Sequence, residues 1–132
     1  MILKNGAYPR SEDAHKHGGH GVFAVETLLT RAQLHKAGRL FARGTLAPGD
    51  SVGMHTHRGD LELCYFLQGR GLVREPDGET EVGPGDSNLV LPGQAHEVVN
   101  IGQEPLVYLA VVLYPDGEPQ TAPSCETAEK SV

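Results

Sequence analysis

Short apolar runs recur through the middle of this chain, and a glycine- or proline-containing turn breaks each one. The turn signals are Pro48-Gly49-Asp50, Gln68-Gly69, Pro76-Asp77-Gly78, Pro84-Gly85-Asp86, Pro92-Gly93 and Gly102-Gln103-Glu104. Each supplies a preset φ or a residue that tolerates positive φ. Between them, period-two alternation predicts strands over 22–28, 39–46, 61–67, 71–74, 79–82, 87–91, 97–101 and 106–113. Many short strands at fairly even spacing imply an all-β sandwich or barrel. The one helical turn the pattern admits runs over 30–34, where Thr30 and Gln33 have capping-box spacing and Gly38 would end the helix. An ordered loop is the competing reading of that stretch.

The chain has 132 residues, enough for one core and too few for two. No internal repeat suggests a duplicated architecture. A formal net charge of -6 argues against nucleic acid and anionic membrane as partners. No apolar run approaches the roughly 18 residues that span a bilayer. The first residues, Met1-Ile2-Leu3-Lys4-Asn5-Gly6, turn polar at once, without the apolar core of a signal peptide. A cytoplasmic location is the expectation, with Cys64 and Cys125 reduced thiols.

His55 and His57 are two residues apart, so in an extended segment both imidazoles leave one face. Glu62 follows Arg58-Gly59-Asp60, a stretch suited to a turn, and can close the site from a neighbouring strand. His96, far along the chain, would have to arrive from the opposite side of a closed barrel. Three imidazoles and one carboxylate suit one divalent transition metal ion per chain, namely Mn, Fe, Co, Ni or Zn.

These residues carry a family pattern. Gly49-x5-His55-x-His57-x4-Glu62-x6-Gly69, followed by Gly85-Asp86 and Gly93-x2-His96-x3-Asn100, resembles the two motifs of small single-domain cupins over roughly residues 39–113. One position departs from it: the proline usually two residues before the second motif's glycine is Leu91 here, and the proline stands next to it as Pro92. The resemblance implies a double-stranded β-helix, or jelly-roll, barrel with a metal inside its mouth. It also implies a homodimer formed by strand exchange or sheet packing. The chain then divides into an N-terminal arm or loop (1–21), a barrel (22–114) and a flexible C-terminal tail (115–132).

Other residues bear on a ligand site. Cys64 and Phe66 share the strand parity of Glu62 and should point inward, where both are candidate substrate contacts, Cys64 as a small apolar filler or in a redox or ligand role and Phe66 as barrel floor. Tyr65 faces the other way, toward an interface. Arg43, if it faces inward with Phe41 and Thr45, can hold a substrate carboxylate or phosphate. Arg58 and Asp60 flank the ligands as loop charges. His35 and Tyr108 are further candidates for acid–base or anchoring roles. His15, His17 and His20 lie in a glycine-rich stretch that reads as a solvated loop or a second metal site.

Two functions fit. One is a metalloenzyme (dioxygenase, decarboxylase, isomerase or lyase) acting on a small, oxygen-rich molecule. The other is a cupin that binds or senses a small ligand through its metal without turnover.

Overall fold

Alternation and turns build two facing antiparallel sheets. The computed structural model describes residues 1–120 and the backbone of 125–127. In chain order the elements are β1 (Arg10–Ala14), a 3-10 turn (Lys16–Gly18), β2 (Val22–Leu29), α1 (Arg31–Leu34), β3 (Gly38–Leu46), β4 (Ser51–His57), β5 (Leu61–Gln68), β6 (Gly71–Glu75), β7 (Gly78–Val82), β8 (Ser87–Val90), β9 (Ala95–Asn100), β10 (Leu106–Leu113) and β11 (Cys125–Thr127). One sheet runs β1-β2-β3-β10-β5-β8 and the other β11-β4-β9-β6-β7. This is the all-β sandwich that the strand pattern implied, in the jelly-roll form that the resemblance to cupins implied. No helix among the described residues is long and apolar enough to cross a membrane.

The inward residues of both sheets meet in one core, with Leu46, Phe66, Val98, Leu106 and Tyr108 nearly or wholly removed from water. Three turns share one design. In Ala47–Asp50, Gly83–Asp86 and Leu91–Gln94 the fourth N–H bonds the first carbonyl at 2.9–3.0 Å, proline sits second and a glycine of positive φ third. That is the type II requirement. The Leu91–Pro92 departure therefore changes nothing essential: Pro92 and Gly93 (φ +90) make the turn that leads into β9. Asn100, at the end of β9, is a clamp: its Nδ2 donates to the carbonyls of Leu46 (2.8 Å) and Glu104 (2.9 Å).

Several expectations change. The 1–21 arm supplies a strand, β1, which the alternation rule passes over because its RSEDA sequence is polar on both faces. The segment carrying His55 and His57 is the full strand β4, bonded to β9. In the tail, β11 pairs with β4 in the register Cys125↔His57 and Thr127↔His55. The remaining tail residues, 121–124 and 128–132, and the Cys125 thiol lie outside the description. Helix α1 has the Thr30–Gln33 capping box, but it stops at Leu34, with His35 at φ 54; Gly38 instead opens β3.

A bulge matters most for the site. Opposite β10, Val112 pairs with Leu40 but Leu113 pairs with Gly38, so Arg39 is the extra residue on β3. Bulges re-aim side chains. Arg39 turns to the interior, while Arg43, four residues on, stays on the outer face. There Arg43 Nε donates to Glu26 of β2 at 2.8 Å. The inward parity expected for Arg43 is corrected accordingly.

Candidate metal centre

His55, His57, Glu62 and His96 are all buried, and each offers a ligand atom within 4.8 Å of the others. Their placement reverses part of the expected geometry. His96 does not cross the barrel: β9 is the neighbour of β4, and His96 pairs directly with His55. All three histidines thus hang from one sheet. Glu62, on β5, comes from the facing sheet, because the turn after His57 carries the chain across the sandwich.

Each imidazole is held by its Nδ1. His55 donates to the Gly53 carbonyl (2.7 Å), His57 to Asp60 Oδ1 (2.8 Å) and His96 to Asn88 Oδ1 (2.6 Å). These partners are acceptors, so the proton sits on Nδ1 and the Nε2 atoms are left to converge. His55 and His96 bring their Nε2 atoms to 3.2 Å, and Glu62 Oε1 lies 2.9 Å from that of His96 and 3.1 Å from that of His57. Metal–ligand bonds of about 2.0–2.2 Å put adjacent ligand atoms roughly 3 Å apart, which is the spacing found here. Outer hydrogen bonds of this kind orient ligands on an ion. The chain therefore carries a His3Glu group able to bind one metal ion.

The electrostatics of the four groups are split. Burial and the neighbouring His96 and His17 lower His55 to a pKa of about 3. Burial also works against charge on His57, yet its hydrogen bonds to Asp60 and Glu62 lift it to about 9. Burial would raise Glu62, but its close contacts with the His57 and His96 imidazoles hold its carboxyl well below the usual range. Beyond the protons on Nδ1, His57 is thus the imidazole that favours a second proton in the metal-free site.

Asp60 is fully buried and joins two residues: it accepts from His57 and from Arg39 Nε, the latter at 2.8 Å. A loop aspartate two residues before a ligand offers no signal of this in sequence. The ligands open onto a cavity of about 780 Å³ whose wall includes His17, Arg39, Tyr108 and Tyr114. Cys64 and Phe66 point inward as expected but lie behind that wall, Phe66 against Tyr108. Burial, then the charge of Glu62, pushes the Cys64 thiol well above its usual range, which suits a neutral filler, and Cys64 is not among the four converging ligands. His35 is exposed and away from the cavity. Of the histidines in the N-terminal stretch, His17 is drawn in and stacks on His55 with ring centroids 4.1 Å apart. His15 and His20 do not line the cavity.

A model of the cupin domain matches residues 42–112. The chain belongs to the cupin family. This cupin is 32% identical over 113 residues to an oxalate-binding protein of Thermotoga maritima, across 86% of its own length and 93% of the relative's. A crystal structure described as a predicted oxalate decarboxylase, also from Thermotoga maritima, superposes with a TM-score of 0.82 at 32% identity, covering 86% of this cupin and 99% of that chain. Glucose-6-phosphate isomerase of Thermococcus kodakarensis is 37% identical over 105 residues, 68% of this cupin but only 52% of the isomerase. The polyketide cyclase RemF of Streptomyces resistomycificus, at 18% identity and a TM-score of 0.72 over 93% of this chain and 87% of its own, shares the fold.

Proposed function

We propose that this cupin binds one divalent transition metal ion through His55, His57, Glu62 and His96 and holds on it a small oxygen-rich anion of the oxalate class. The observation that carries this reading is the convergence of three Nε2 atoms, each locked by a bond at Nδ1, with Glu62 in the wall of an open cavity. The likeness to an oxalate-binding protein along nearly its whole length supports the choice of ligand. A bound ion supplies a Lewis acid for carboxylate oxygens. Glu62 offsets half of a divalent charge and leaves a net cationic site, which favours an anion. Arg39, braced at Nε by the buried Asp60, presents a guanidinium to the same cavity, where it can meet a second carboxylate.

Turnover is the second reading: a metalloenzyme of the oxygenase, decarboxylase, isomerase or lyase kind. His17 and Tyr108 line the cavity, which favours it. Burial, with Cys64 and Glu62, pushes the Tyr108 hydroxyl well above its usual range, so it suits hydrogen bonding better than proton donation.

Titration calorimetry of metal-reconstituted protein with oxalate, malonate and glucose 6-phosphate tests the first reading. Oxalate should bind only when metal is present, and His57→Ala should abolish both metal and oxalate binding. Equal oxalate affinity with and without metal would sink the reading. Release of formate and carbon dioxide from oxalate would establish turnover.

The outer face of β3, β10, β5 and β8 supports a homodimer. Phe41, Val111, Leu63 and Leu89 lie side by side across the four strands, flanked by Tyr65 and Leu91. Tyr65, Leu89 and Leu91 are 43–49% exposed. The row is uncharged, so two copies can meet there despite the net negative charge of each.

A further inference from the structure

The 3-10 turn Lys16–Gly18 is built at some conformational cost. His15 and His17 both take φ 52, a left-handed conformation unfavourable for residues with a Cβ. The turn is pressed onto β4 so closely that a Cβ on Gly53 would collide with the His17 carbonyl, and one on Gly19 with the Ser51 carbonyl. Ser51 then bonds His20 twice: the His20 N–H donates to Ser51 Oγ and the Ser51 N–H to the His20 carbonyl, each at 2.8 Å. The Val22 N–H donates to Asp50 at 3.2 Å. The outcome of this anchoring is the position of one side chain. The His17 ring lies parallel to that of the ligand His55, at 15°, and forms part of the cavity wall beside the four ligands. It is not itself among the converging ligand atoms.

We propose that His17 is the recognition group beside the metal site, hydrogen-bonding the anion held on the ion, and that the anchored turn sets which anions fit. This rests on the metal-and-anion reading above. His17 lines the cavity beside the ligand ring on which it stacks, so an anion held there can meet the His17 imidazole, while the stack holds the His55 ring in place. Arg39 lines the same cavity from β3, so an anion with two oxygen-bearing ends can be held at both. His17 in this role is a binding residue that touches the anion and is not a ligand of the ion.

The full-length protein reconstituted with Co(II) gives a visible spectrum that reports ligands on the ion. Azide serves as a general probe of an open position and oxalate as the proposed ligand. His17→Phe keeps the ring stack and removes the nitrogens; His17→Gln restores a hydrogen-bonding group. His17→Phe should take up Co(II) with wild-type stoichiometry and affinity while azide and oxalate bind roughly ten-fold or more weakly. His17→Gln should recover part of the loss. Unchanged anion affinity in His17→Phe would overturn the inference, as would loss of Co(II), which would reduce His17 to a prop for His55. His17→Ala decides in the same way in place of a Phe variant that does not fold. Wild-type protein that takes azide but not oxalate would defeat the oxalate reading alone, with the azide comparison still deciding the role of His17. Wild-type protein that binds neither would overturn both.

Discussion

His55 and His96 face each other across adjacent strands, β4 and β9, with their Nε2 atoms 3.2 Å apart. Both donate from Nδ1, so two lone pairs point at one place in a buried pocket. That arrangement is unfavourable without something between them, whether a proton or an ion, and Glu62 brings the negative charge that either would need.

Asp60 orients His57 from behind and braces Arg39. Asp60→Asn keeps the shape but removes the charge, so metal affinity should fall on the order of 10–100-fold with the fold retained. A competitive chelator titration measures it. Wild-type affinity in the variant would mean that His57 is positioned by other contacts.

The metal-free protein should be most stable near pH 6.5. His57 holds its proton more tightly folded than unfolded, at about 9 against 6.5, so its contribution is complete below pH 6.5 and is lost as pH rises through 9. His55, at about 3, and His17, at about 4, favour the neutral form when folded; their contribution is present above pH 6.5 and is lost as pH falls from there. Urea midpoints measured in chelator at pH 5, 6.5 and 9 should therefore peak at the middle value. A steady rise from pH 6.5 to 9 would contradict the assignment of the proton to His57.

Gly53→Ala sets a methyl group against the His17 carbonyl. Stability should drop by about 1–3 kcal/mol, the range for steric overpacking. Thermal unfolding measures the drop, and the amide signals of residues 15–20 should shift together if the turn is displaced.

Leu89→Lys places a charge at the β8 end of the outer apolar row, at its most exposed leucine. Light scattering should show a dimer for the wild-type protein and a monomer for the variant, with metal content unchanged. A wild-type monomer at micromolar concentration would remove the dimer reading.

Much of this was legible in the sequence, for definite reasons. The ligands were found by their spacing, and β10, with Leu106–Leu113 alternating inward and outward, by its period. The sheet to which each ligand belongs was not, because strand pairing is a long-range property: His96 is beside His55 only through the β4–β9 ladder. Arg39 and Arg43 have the same parity, and only the bulge at β10 sends one inward and leaves the other out. His17 looked like part of a solvated loop because its burial depends on the glycine contact between residues 19 and 53, which no local pattern announces.

The division of the ligands between the sheets has a mechanical meaning. An ion held by three imidazoles of one sheet and the carboxylate of the other would stitch the sandwich along its inner seam. Its departure and the parting of the sheets would then be one event, and the residence time of a bound ion would read how often the barrel breathes.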